Sequence, residues 1–197
     1  VISLTCIGPV GEQIIKAGIP LKAIGMRRGV PDPVGLMDLV RFLRKDGPDL
    51  VQTWMYHADL VGGLAARACG RPPVVWNVRH TDLNPGRNKR RTIWAARICG
   101  RLSPYLPKKI VINSETSRRV HAMLGYTDQK MVVIPNGFDT DLYKPDQDGK
   151  ASVRRELGVP QDATLIGLIG RFHPQKDHHN FITGASLLAG KRKDVRF

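Results

Sequence analysis

Short runs of β-branched and aliphatic residues recur along the chain, and between them lie segments whose apolar residues repeat at helical spacing. VVWNV at 74–78, KIVI at 109–112 and MVVI at 131–134 are the clearest runs. Each reads as a strand, and the longer segments between them read as helices. A strand that returns parallel to the one before it needs a crossover of about a dozen residues, usually a helix. The alternation therefore constrains the fold to α/β, a Rossmann-like, doubly wound parallel sheet covered on both faces.

In order, strands are expected at Val1–Cys6, Pro20–Ile24, Asp49–Trp54, Pro73–Val78, Lys109–Asn113 and Met131–Ile134. Helices are expected at Val10–Ala17, from Asp32-Pro33 to Gly47, at Ala58–Cys69, at Arg91–Leu102, and from Ser114 to Gly125. The second of these is the best signalled. Asp32 can cap it, Pro33 sits where a missing N–H costs nothing, Leu36, Leu39, Val40 and Leu43 share one face, and Gly47 follows its end. A polar segment, 139–150, reads as a linker. Beyond it come a helix at Ala151–Leu157, a strand at Thr164–Ile169, a helix at Asp177–Ala189 and a short strand at Val195–Phe197. The expected organisation is one domain over 1–148, linker included, and the opening of a second over 149–197.

The chain has 197 residues, of which 42% are hydrophobic and 24% charged, so a substantial core can form. No stretch approaches the roughly 20 apolar residues of a membrane span, and Val1–Cys6 lacks the basic lead of a secretory signal. Cys6, Cys69 and Cys99 share no metal-ligand spacing and read as reduced thiols packed in a core, which suits the cytoplasm. The formal net charge of +14 favours phosphate-bearing partners of any kind.

In open parallel sheets ligands gather beyond the carboxyl ends of the strands. His57, His80, Asn113, Ser114, Asn136 and Arg171 all follow expected strands and are the candidate rim residues. Asn136-Gly137 is also a turn dipeptide. Arg171 and Lys176 share one loop ahead of a helix, and two cations beside free helical N–H groups make an anion site suited to a phosphate.

PNGFD at 135–139, followed by GRFHPQKDHHNF at 170–181, resembles the domain junction of the family 4 retaining glycosyltransferases, GT-B enzymes with two Rossmann-like domains. The resemblance implies transfer of a sugar from a nucleoside diphosphate donor to an acceptor hydroxyl with retention. It implies no cofactor and no metal, with the nucleotide sugar as substrate. Arg171 and Lys176 match the G-R-x(4)-K pattern whose cations contact the donor diphosphate. His80, at the end of VVWNVRH, matches the family's functional His near the sugar and acceptor. His57 matches an acceptor-side loop less specifically, and Asn136 stands with it on the acceptor side. The family's glycine-rich loop and its E-x(7)-E pattern have no counterpart here. On that reading the chain is expected to start at the second strand, to stop early in the second domain, and to be inactive alone. A cell-surface polysaccharide or lipid-linked glycan is the expected acceptor.

Between Asp82 and Glu115 there is no acidic residue, while Arg87, Lys89, Arg90, Arg91, Arg97, Arg101, Lys108 and Lys109 occur there, and Trp94, Ile98 and Leu102 recur at four-residue spacing. Such a helix can lie on anionic lipid, which would make the protein peripheral on the inner face of the membrane, or it can bury its apolar stripe and solvate its basic back. A basic nucleic-acid-binding domain is a second functional class, but no reading motif accompanies it and aromatics are only 6% of residues. A GT-B sugar-nucleotide epimerase is a third. His173, His178 and His179 lack zinc-site spacing.

Overall fold

The computed structural model describes residues 1–27, 32–86 and 88–197, so Arg87 of the basic segment lies outside the described residues. The elements run β1 (Ile2–Ser3), α1 (Pro9–Lys16), β2 (Lys22–Ala23), α2 (Pro33–Asp46), β3 (Val51–Trp54), α3 (Tyr56–Ala68), β4 (Val74–Val78), α4 (Arg90–Leu102), β5 (Lys109–Ile112), α5 (Glu115–Met123), β6 (Met131–Val133), α6 (Gln147–Glu156), β7 (Thr164–Leu165), α7 (His178–Ala189) and β8 (Val195–Arg196). The chain divides into two compact units, Val1–Asn136 and Gly137–Phe197. That division falls ahead of the 148/149 boundary expected from sequence.

In the first unit β3, β4, β5 and β6 form one sheet in that order, and every pair is parallel. Trp76 pairs with Thr53 on one side and Ile110 on the other, and Ile110 pairs with Met131, so these side chains form one row on one face. Consecutive strand order with right-handed crossovers brings α3, α4 and α5 to a single face of the sheet. There Trp76, Val78, Ile110 and Ile112 are fully buried with Tyr56, Ala66, Ala96 and Cys99. Each such aliphatic side chain contributes about 1.5–3 kcal/mol. Glycines allow the close approach of layers. A Cβ on Gly62 of α3 would stand 2.6 Å from Thr53 Cγ2 on β3, and one on Gly100 of α4 would stand 2.5 Å from the backbone oxygen of Leu124. On the opposite face Trp54, Val132 and the following Ile134 stay 55%, 39% and 49% exposed.

A second cluster joins Leu39 and Leu43 of α2 to Ala65 of α3, with Ile2, Leu4 and Ile24 packed against it. The signals that predicted α2 are all used. Asp32 accepts from the Gly35 N–H at 2.8 Å, and Gly47 closes the helix in the left-handed conformation at φ 60°. β1 and β2 pair in parallel as a separate two-stranded sheet. They are shorter than the expected Val1–Cys6 and Pro20–Ile24 because Gly25, at φ 83°, turns the chain and sends its N–H to Thr5. Cys6, expected in a core, is exposed between β1 and α1, whereas Cys69 is partly buried and Cys99 buried.

The second unit is thinly packed. Among its described hydrophobic residues only Ala163 and Val195 are buried, and Ile169 and Phe172 are 100% and 95% exposed. β7 pairs with β8 alone, and the last ladder bond runs from the Ile166 N–H to the Arg196 carbonyl. The expected strand Thr164–Ile169 is therefore cut short, since residues 167–169 have no ladder partner. The segment read as a linker is not wholly irregular either. Asp146 caps α6 by accepting from the Asp148 N–H at 3.0 Å, so the helix starts ahead of the expected Ala151.

Candidate functional site

The carboxyl ends of β3 to β6 line up at one rim, and β4 sends successive side chains to its two sides. His80 follows the even-numbered row of Trp76 and Val78 toward the helices. Its ring meets Tyr56 edge-on at 6.4 Å, and its backbone carbonyl accepts from Ser117 Oγ at 3.2 Å. Ser117 sits in the first turn of α5, which Ser114 caps by accepting from the Ser117 N–H at 3.1 Å. His121, one turn further, is fully buried. Its Nδ1–H donates to the Ser117 carbonyl at 2.7 Å, because a carbonyl can only accept, so Nε2 is left to accept from the Tyr56 hydroxyl at 2.9 Å. Burial, with the neighbouring His80 in a minor part, holds the His121 imidazole below its usual range and therefore neutral. His80 Nδ1 and Asn113 Oδ1 are buried polar atoms without a hydrogen-bond partner among the described residues. Unpaired buried groups cost about 1–3 kcal/mol each, and Asp59 Oδ2, Trp76 Nε1 and the Tyr126 hydroxyl are in the same state.

Arg79 points to the other side of the rim. Its Nε donates to Asn77 Oδ1 at 2.7 Å, its Nη1 donates to Asn136 Oδ1 at 2.6 Å, and its guanidinium carbon lies 5.4 Å from the centre of the Trp54 ring. Asn136, singled out as a turn and rim residue, is thus tied to β4 through an arginine that strand patterning does not mark. The register Val78 with Ile112, extended by one residue, sets Asn113 beside Arg79.

His57 lies elsewhere. α3 begins at Tyr56 rather than the expected Ala58, so His57 belongs to its first turn, is exposed, and makes no hydrogen bond or ring contact among the described residues. The turn is made by Met55 at φ 73° and ψ 157°, a conformation close to glycine-only that costs about 1–3 kcal/mol. Asp59, fully buried below it, accepts from Thr53 Oγ1 at 2.5 Å. Burial, partly opposed by that hydrogen bond, pushes its carboxyl up to about 7. Asp59 and the Tyr56–His121 pair are interior groups that sequence reading missed, since nothing local distinguishes them from surface polar residues.

In the second unit Arg171 and Lys176 flank a turn that leads into α7. Pro174–Lys176 forms a 3-10 turn after His173, whose Nδ1 accepts from the Gln175 N–H at 3.3 Å. His178 Nε2 donates to the Arg171 carbonyl at 2.9 Å, which closes the loop. Both cations are exposed, and neither forms an ion pair among the described residues. Asp177 precedes α7 in the left-handed conformation without a side-chain cap bond, so the first-turn N–H groups are free of internal competition. Among the described residues no group of three His, Cys, Asp or Glu side chains is arranged to hold a metal ion.

Arg90, Arg91, Arg97 and Arg101 of the basic segment lie on α4, whose buried residues are Ile93, Ala95, Ala96, Cys99 and Gly100. Trp94 was expected to share a stripe with Ile98 and Leu102, but it is 64% exposed, while Leu102 packs against the core. Four-residue spacing drifts around a helix, and Trp94 lies at its outer edge. Among the described residues no helix is long and apolar enough to cross a membrane.

A parallel α/β unit with helices packed on its sheet is Rossmann-like. The sequence profile described as Glycosyltransferase Family 4 matches residues 6–142, and the chain belongs to that family. It is 26% identical over 166 residues to the UDP-Gal:alpha-D-GlcNAc-diphosphoundecaprenol alpha-1,3-galactosyltransferase of Escherichia coli, covering 81% of this chain and 41% of that one. It is 27% identical over 155 residues to the D-inositol 3-phosphate glycosyltransferase of Streptomyces avermitilis, covering 75% and 32%. The crystal structure of Anabaena HepE in complex with UDP and glucose matches with a TM-score of 0.73 at 23% identity, over 95% of this chain and 49% of that one. The fold is thereby the GT-B type. The chain spans less than half the length of these relatives.

Proposed function

We propose that the protein is a retaining hexosyltransferase that moves a sugar from a nucleoside diphosphate donor to an acceptor hydroxyl in cell-surface polysaccharide or lipid-linked glycan synthesis. Family membership supports transferase chemistry, and HepE, solved with UDP and with UDP-glucose, supports a nucleotide-sugar donor. The E. coli relative is named for a lipid diphosphate acceptor, which supports an acceptor of that kind. In this reading the first domain serves the acceptor, with His57 and Asn136 on that side, and the second opens the donor domain.

The observation that carries the reading is His80. It is held at a strand end by the Ser117 bond to its carbonyl and by the Tyr56 ring, next to Asn113 on the same rim, where a residue that orients a sugar or acceptor hydroxyl is needed. Arg171 and Lys176 supply the other need. A departing nucleoside diphosphate gains negative charge as the glycosidic bond breaks, and preorganised cations beside a helix N-terminus stabilise that charge more in the transition state than in the ground state. No metal is then required to neutralise the diphosphate. Kinetics with a panel of nucleotide sugars test the reading, together with calorimetry of the free nucleoside diphosphate. His80→Ala in the full-length protein should lower kcat and leave nucleotide affinity unchanged. Loss of nucleotide affinity in that variant would overturn the acceptor-side role.

A further inference from the structure

Arg79 carries a charge that no carboxylate among the described residues neutralises. Its contacts are two amide oxygens and an aromatic ring, those of Asn77, Asn136 and Trp54, and no carboxylate pairs with it among the described residues. A neutral donor could tie two amides together equally well, so the tie alone does not account for a guanidinium. The group is also immobilised. Asn77, the anchor of its Nε, is only 1% exposed, and the guanidinium carbon lies over the Trp54 ring at 5.4 Å. Two of its five N–H groups are engaged by the asparagines, which leaves three to donate. A planar fork held this way suits the oxygens of a phosphate or carboxylate, and ordering it before the ligand arrives removes much of the entropic cost of binding. Its place at the strand ends, one residue from His80, puts such an anion on the same rim as the residue assigned to the acceptor.

We propose that Arg79, held by Trp54, Asn77 and Asn136, binds an oxyanion carried by the acceptor substrate. The identity of the carrier rests on the transferase reading; the anion site does not. The test follows the Arg79 Nε–H resonance, and the Trp54 indole as a second reporter, while sodium phosphate or sodium acetate is added at constant ionic strength. A site-resolved signal is needed because a chain of net charge +14 collects anions elsewhere too. Saturable shifts are expected. Followed at Trp54, affinity should fall about tenfold or more in Arg79→Gln, with partial retention in Arg79→Lys, where the charge remains but the fork is gone. Tighter binding of phosphate than acetate would assign a phosphorylated acceptor, and the reverse order a carboxylated one. The site is overturned if neither anion shifts Arg79, or if Arg79→Gln binds as wild type does. Saturable binding at Arg79 with no sugar transfer when both domains are present would sink the transferase reading alone, whereas transfer by that two-domain protein without any anion response at Arg79 would sink this inference alone.

Discussion

His80 and Lys176 are both marked by the sequence, yet they are held in opposite ways. His80 rests on a buried scaffold, Tyr56, His121 and Ser117, in a unit whose sheet is filled by Trp76, Val78, Ile110 and Ile112. Lys176 ends a short turn whose fixed points are local, the His173 cap and the bond from His178 to the Arg171 carbonyl. Its own unit buries only Ala163 and Val195 among its described hydrophobic residues. Position can thus be set by an interior or by a turn, and the two should respond differently to substitution.

The largest effect should come from the interior. Tyr56→Ala removes a fully buried ring and strips His121 Nε2 of its donor, so it should cost about 3–5 kcal/mol in denaturant unfolding. A loss under 1 kcal/mol would mean that His80 is not held from below. Lys176→Ala should show the reverse pattern. In the full-length protein it should lower kcat by about 10² to 10³, the usual effect of losing one preorganised donor, while stability moves by no more than about 0.5 kcal/mol. Unchanged turnover would remove Lys176 from the donor side.

Asp59 sharpens the contrast through pH. Its folded carboxyl titrates near 7 and its unfolded one near 3.8, so the native state binds the extra proton between those values. Its contribution to stability is full below the unfolded value and is lost as pH rises through the folded one, with a slope of at most about 1.4 kcal/mol per pH unit. Asp59→Asn should flatten that slope in unfolding curves taken between those limits. An unaltered slope would show that Asp59 is ionised throughout. The smallest effect concerns α4, whose Arg90, Arg91 and Arg97 are exposed. If α4 meets anionic lipid, replacing these with Gln should weaken vesicle binding by about 1 kcal/mol per charge. Equal binding to neutral vesicles would exclude an electrostatic attachment.

The elements legible in the sequence are those whose signals are local. The Asp32 cap, the left-handed Gly47 and the Ser114 cap lie within a turn of the helices they delimit, and β4, β5 and β6 are runs that no helix period explains. Arg79 escaped because its partners, Trp54 and Asn136, lie far along the chain on either side and meet only when β3, β4 and β6 are aligned. The Tyr56–His121 bond, between residues 65 apart, is invisible for the same reason. α4 misled in a different way. Its apolar spacing suggested one stripe through Trp94, but apart from Ile93 the buried face is made of small residues, Ala95, Ala96, Cys99 and Gly100, which give little hydrophobic signal. The extent of β7 depended on a ladder partner, which composition cannot count.

The strand order β3-β4-β5-β6 also has a meaning in time. Each strand lies beside the one made just before it, so a chain leaving the ribosome can extend this sheet one strand per crossover, without waiting for a distant partner. Only when α5 has emerged can His121 reach the Tyr56 hydroxyl and Ser117 the His80 carbonyl. The rim around His80 would then become competent late, finished by residues translated well after His80 itself.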